Sequence, residues 1–113
     1  MKLRAGVAGS GSMGRNHARC YSLIQEVELA AVYDADLKRA QAVAEEFGAK
    51  AVDSLEALAE ACDLASVAVP TIAHLEVGGE LMRRGLHVLM EKPIAPSVEE
   101  AKQLVELAEE RDR

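Results

Sequence analysis

Aromatic residues are almost missing: the 113-residue chain has no Trp, one Phe and two Tyr. Proteins that hold single-stranded nucleic acid stack bases on aromatic faces, and that platform is not available here. Basic charge is short as well. Lys and Arg number 13 against 19 Asp and Glu, a formal net charge of −6, whereas a phosphate backbone is bound through clustered cations. Nucleic acid is excluded as a partner on both counts. Cysteine is limited to Cys20 and Cys62, in unrelated segments without CxxC spacing, so neither a zinc site nor a disulfide framework is expected. Each reads as a small buried apolar residue in a reducing compartment, which makes the cytoplasm the expected location. No apolar run approaches the length of a membrane span, and the one behind Lys2 and Arg4 breaks at glycines too early for a signal-peptide core. No membrane partner is expected.

What is present is a globular balance, half hydrophobic and 28 % charged, with an apolar share made mostly of Ala, Val and Leu. The length suits one domain with one core. Short runs without polar alternation recur at 3–9, 28–34, 50–52, 64–70 and 86–91. Continuous hydrophobicity means that both faces are covered, which is how parallel strands read. Between them lie helical stripes: Leu37, Ala40, Val43 and Phe47; Leu75, Gly78 and Met82; Val98, Ala101, Val105 and Ala108. Asp36 is placed to cap the helix from Leu37, and Ser97 with Glu100 forms a capping box for the last helix. Gly48 and Gly85 stand just past helix ends, where a left-handed residue is wanted. The Gly78-Gly79 pair inside a helix is the one misfit, which close helix-to-sheet packing would explain. Alternation of strand and helix predicts an α/β fold with right-handed crossovers and helices on both sheet faces.

Gly9-Ser10-Gly11-Ser12-Met13-Gly14 matches GxGxxG directly after a strand and opening a helix. In that context Gly9 permits the tight turn, Gly11 lets a pyrophosphate approach the backbone, and Gly14 lets helix and strand pack closely. The first amides of the helix and its dipole then hold the phosphates. The plain alternative is a glycine-rich turn that binds nothing. Asp34 narrows the choice, because it ends the second strand 20 positions after Gly14, near the spacing at which an acid takes ribose hydroxyls. A carboxylate repels a 2′-phosphate, so NAD is favoured over NADP, while Lys38 and Arg39 leave NADP open. In a doubly wound sheet of order 3-2-1-4-5, the glycine loop, Val69-Pro70-Thr71 with His74, and Glu91-Lys92-Pro93 all fall at one sheet edge. Taken alone, Lys92 would be a solvated lysine ending a strand.

These stretches together resemble the glucose-fructose oxidoreductase, inositol dehydrogenase and MocA-like oxidoreductases. The resemblance covers the whole chain and rests on VAGSGSMGRNHA at 7–18, AVYDAD at 31–36, SVAVPTIAH at 66–74 and GLHVLMEKPIAPSVEEA at 85–101. Residues 9–21 and 67–74 are also similar, more weakly, to UDP-N-acetylglucosamine 3-dehydrogenases. The resemblance implies a three-layer Rossmann-like NAD(P)-binding domain over 1–113, belonging to a two-domain enzyme whose last Rossmann strand and C-terminal substrate domain are absent here.

It implies that Lys92 sits beside the nicotinamide and hydrogen-bonds the hydroxyl being oxidised, where its ammonium stabilises developing alkoxide charge. Glu91 shapes the cofactor pocket and Pro93 fixes the turn, with a cis Lys92-Pro93 bond allowed at little cost. His74 matches a histidine near the cofactor, its neutral form favoured by the helix dipole, against the alternative of a ring satisfied by local hydrogen bonds. Thr71 stands where the family often has Asn. His17 reads as structural. Two classes of function follow: the cofactor half of an NAD(P)-dependent sugar, sugar-nucleotide or cyclitol oxidoreductase, binding cofactor without turnover alone, or a non-catalytic nucleotide-binding or interaction module. Loss of the last strand exposes an edge along 86–90 for self-association.

Overall fold

A computed structural model describes residues 2–113. Five parallel strands, β1 (Leu3–Ala8), β2 (Val27–Tyr33), β3 (Lys50–Val52), β4 (Leu64–Val67) and β5 (His87–Met90), form one sheet in the order β3-β2-β1-β4-β5. This is the order expected from the sequence. The connecting helices are α1 (Ser12–Leu23), α2 (Leu37–Phe47), α3 (Leu55–Ala61), α4 (His74–Arg83, after a short 3-10 turn over Thr71–Ala73) and α5 (Val98–Arg111). The strands are shorter than their apolar runs: 68–70 and Glu91 have left the sheet and belong to the loops.

The core lies on both faces, as continuous hydrophobicity requires. On one face Val7, Leu29 and Val32 of the strands pack with Ala18 of α1 and Ala40, Val43 and Ala44 of α2. On the other, Ala8, Ala31, Ala65 and Val67 pack with Leu58 of α3 and Val77 and Leu81 of α4. Small residues in the strands let the helices come close. A Cβ on Gly6 would stand 2.6 Å from Cys62 Sγ, and one on Gly78 would stand 2.3 Å from Met90 Cε. Close packing of α4 on β5 thus accounts for glycine inside that helix.

Helix ends follow their local chemistry. Asp36 accepts from the Lys38 N–H at 3.1 Å, Ser54 from Ala57 at 3.0 Å and Ser97 from Glu100 at 3.2 Å. Gly48 and Gly85 take positive φ of 74° and 96°. Two expectations are corrected. Cys62 is buried, but Cys20 is exposed on the outer side of α1. In α5 the buried residues are Leu104 and Leu107, packed with Met82 of α4, whereas Val98 and Val105 of the expected stripe are 74 % and 49 % exposed. The helix carries two adjoining apolar stripes, and α4 covers only one.

Candidate cofactor site

The ladder sets the site by aligning strand ends. Gly9 donates its N–H to Tyr33 O at 2.8 Å, Ala68 to Ala8 O at 2.8 Å, and Glu91 to Val67 O at 3.1 Å. The residues after β2, β1, β4 and β5 therefore stand in one row. Glu91 is two strand spacings, about 10 Å, from the glycine loop.

At the centre of that row the chain turns from β1 into α1. Gly9 has φ 100°, and a Cβ there would meet Ala68 O at 2.6 Å, so two separate constraints demand glycine. A Cβ on Gly14 would fall 1.7 Å from Gly9 O, which shows how tightly the helix returns onto the loop. The N-cap of α1 is Gly11, with no side chain to bond the first-turn amides, and that turn has no acidic residue. Open N–H groups and the positive end of the helix dipole face outward there, the arrangement that receives an anion.

Asp34, just past β2, closes one side. Its Oδ2 accepts from the N–H of Ser10 at 2.7 Å and the Ser10 hydroxyl at 2.8 Å, and Oδ1 accepts from the Asp36 N–H at 2.8 Å. Partial burial opposes ionisation, but these donors and the charge of Arg39 outweigh it and hold the carboxyl below its ordinary value. Arg39, on the first turns of α2, lies over the loop: its Nη2 is 2.9 Å from where a Gly11 Cβ would stand.

Together these form a cleft of about 580 Å³, within the usual range for a small-molecule site. Of the residues expected from the sequence, Gly9, Ser10, Gly11, Ser12, Met13, Asp34 and Pro70 line it, and Gly14, Thr71, His74, Glu91, Lys92 and Pro93 do not. Arg39, Ala68 and Val69 also line it, Arg39 as the cation that leaves NADP open and Val69 on the loop after β4 that the sequence already set at this edge. Ala68 and Val69 carry no signal beyond their place after a strand.

The outlying residues have defined surroundings. His74 is buried, with Nδ1 3.1 Å from Ile94 O and Nε2 3.0 Å from Val69 O. Carbonyls only accept, so a neutral ring donates to one of them at a time. The ring has a local hydrogen-bond partner whichever nitrogen carries the proton, and it lies between the loop after β4 and the loop after β5. The Lys92-Pro93 peptide is cis, and Lys92 is exposed. Glu91 Oε1 lies 2.5 Å from His17 Nε2 on α1.

The residues fit a dinucleotide: a glycine loop that leaves its backbone approachable, open helix amides and an oriented carboxylate at the end of the next strand. Residues 3–113 match the sequence profile of the Gfo/Idh/MocA oxidoreductases, described as an oxidoreductase family with an NAD-binding Rossmann fold. The chain belongs to this family. It is 40 % identical over 109 residues to a UDP-N-acetylglucosamine 3-dehydrogenase of Acidithiobacillus ferrooxidans, covering 96 % of this chain and 34 % of the relative. A solved structure of that enzyme superimposes with a TM-score of 0.94 over 99 % of this chain and 36 % of the other. GenD2 from gentamicin A biosynthesis, in complex with NAD, is 31 % identical with a TM-score of 0.93, covering 98 % and 32 %. A 3-ketoreductase from Actinomadura kijaniata, in complex with NADP, is 29 % identical with a TM-score of 0.90, covering 98 % and 36 %. The chain spans about a third of the length of the curated relatives it matches. Among the described residues no helix is long and apolar enough to cross a membrane, and no cluster of His, Cys, Asp or Glu is arranged for a metal ion.

Proposed function

We propose that this chain is the cofactor-binding part of a Gfo/Idh/MocA dehydrogenase that prefers NAD and acts on a hydroxyl of a sugar, sugar nucleotide or cyclitol. The observation that carries the reading is the Asp34 carboxylate, fixed by Ser10 at the rim of a glycine loop whose helix amides are free. A carboxylate there accepts from ribose hydroxyls and repels a 2′-phosphate. Arg39 stands beside it and tolerates the phosphate, so NADP binds more weakly rather than not at all. The bound dinucleotide would supply the hydride acceptor or donor. Lys92 would then orient the reacting hydroxyl and stabilise negative charge on its oxygen. Relatives named for acting on UDP-N-acetylglucosamine and glucose 6-phosphate support the substrate class. In this reading the 113 residues bind the cofactor, and turnover needs a substrate site formed by residues outside them.

Calorimetric titration with NAD and NADP tests the reading. Saturable binding with NAD the tighter, weakened roughly 10-fold or more by Asp34→Ala through loss of charge-assisted hydrogen bonds, supports it. No binding at millimolar cofactor overturns it. A second reading, a nucleotide-binding module without catalysis, is favoured by the position of Lys92 outside the cleft wall. Cofactor that binds without altering the NMR signal of Lys92 would select that reading.

A further inference from the structure

α1 presents His17 and Tyr21, one turn apart on a single face, toward the later strands. The Tyr21 hydroxyl lies 2.7 Å from Ser66 Oγ on β4, and His17 Nε2 lies 2.5 Å from Glu91 Oε1 just past β5. The second contact is largely shielded, with the His17 side chain 17 % and that of Glu91 22 % exposed. The helix whose first turn faces the cleft is thereby tied to the turn that carries Lys92. No role assigned so far uses His17.

Glu91 stands between two nitrogen donors, His17 across the fold and Lys92 beside it. Lys92 is its neighbour in the chain, yet among the described residues the ion pairs of Glu91 include His17 and not Lys92, which forms none. The Glu91 carboxyl is held below its ordinary value by the hydrogen bond from His17, against some desolvation, with smaller help from the charge of His17 and from Lys92. An ammonium captured by the preceding carboxylate would be neutralised before it met a substrate. It would also be turned back along its own strand.

We propose that His17 is a positioning residue for Lys92: by engaging the Glu91 carboxylate it holds the Glu91-Lys92-Pro93 turn against α1 and keeps the Lys92 ammonium unpaired at the sheet edge. The purpose of this arrangement rests on the reading of Lys92 as a substrate-facing lysine. The contact itself does not.

The test labels the 113-residue chain with a limiting amount of an amine-reactive N-hydroxysuccinimide ester and follows Lys92 by peptide mass spectrometry. In His17→Ala the freed carboxylate captures the ammonium, and labelling slows about two- to fivefold, the span of an exposed ion pair. His17→Gln keeps an N–H donor for Glu91 and stays near the parent rate. The double variant His17→Ala, Glu91→Gln has no carboxylate left to capture the lysine and returns to that rate. Unchanged or faster labelling in His17→Ala, or slow labelling in the double variant, would reduce His17 to packing and overturn the proposal. Should His17→Ala fail to fold by circular dichroism, Glu91→Gln alone decides: the parent rate supports the proposal, and faster labelling shows that Glu91 already held Lys92. Protection of Lys92 by saturating NAD is scored separately. Its absence, with the variant pattern intact, sinks the substrate-facing reading and leaves the role of His17 standing.

Discussion

Asp34 and Ser10 hold each other across the mouth of the cleft, the Oδ2 of Asp34 accepting both the backbone N–H and the hydroxyl of Ser10 at 2.7 and 2.8 Å. With Asp36 N–H on Oδ1, three of the roughly four acceptor positions of a carboxylate are filled. The carboxylate is thereby fixed before any ligand arrives, and a group oriented before binding loses less entropy on binding.

Ser10→Ala removes one of those donors while keeping the backbone N–H. The Asp34 carboxyl is then expected to titrate closer to its ordinary value, seen by carbon-13 NMR of the side-chain carboxyl. The fold should lose on the order of 1 kcal/mol, one hydrogen bond to a partly buried ion. NAD affinity should fall with it. An unmoved Asp34 titration would mean that Ser10 contributes nothing to its orientation.

Acid should unfold this chain partly through the same carboxylate. Asp34 and Asp63 both titrate below their ordinary values in the fold, Asp63 because of its side-chain hydrogen bond with Arg4. A lowered folded value means stability that is complete above the unfolded value, about 4, and lost as the pH drops through the folded one. The Arg4–Asp63 pair is exposed on both sides and contributes little. Melting temperatures from pH 7 to 3 should therefore flatten more in Asp34→Asn than in Asp63→Asn. The reverse order would show that the surface pair, not the site, governs acid sensitivity.

Glycine positions separate sharply by what a Cβ would meet. Gly14→Ala drives a methyl onto the carbonyl of Gly9, a backbone atom with nowhere to go, and should cost about 3 kcal/mol, the upper end of overpacking. Gly48→Ala meets open space but forces a left-handed φ of 74° on an L side chain, for about 1 kcal/mol. At Gly79, in a helix interior, the nearest atom is Leu107 Cδ2 at an ordinary 3.4 Å. Gly79→Ala should stabilise by up to about 1 kcal/mol through helix propensity. Urea midpoints at constant m rank the three.

The glycine loop and Asp34 were readable because their requirements are backbone ones, positive φ, close approach and a fixed count of residues between strand ends. Strand order came with the dinucleotide-binding pattern, whose doubly wound sheet runs 3-2-1-4-5; alternation and crossover handedness fix only a parallel sheet covered on both faces. Periodicity failed at α5, where it exposed a Val98–Val105 stripe but could not tell which of two neighbouring stripes α4 would cover. Cys20 failed for a related reason: a general tendency of thiols to be buried does not say which side of α1 the residue occupies. The His17–Glu91 contact joins residues 74 positions apart, and nothing local in either segment encodes it.

β5 has a single neighbour, β4, so its outer backbone edge is open. Leu89 pairs in register with Ser66 and points to the face of α1, 55 % exposed, while Ile94, Val98 and Val105 are exposed beside α5. Apolar side chains thus flank an unpaired edge on both sides, and Pro93, which cannot donate to a ladder, stands only past its end. A second copy of the chain offers the matching edge, and pairing would extend the sheet while covering both patches. Light scattering across a concentration series should show self-association of the 113-residue chain. Leu89→Lys places a charge in the pairing face and should return it to monomer with its circular dichroism unchanged. A monomer at all concentrations would mean that four edge residues and these side chains bury too little to offset the entropy of association.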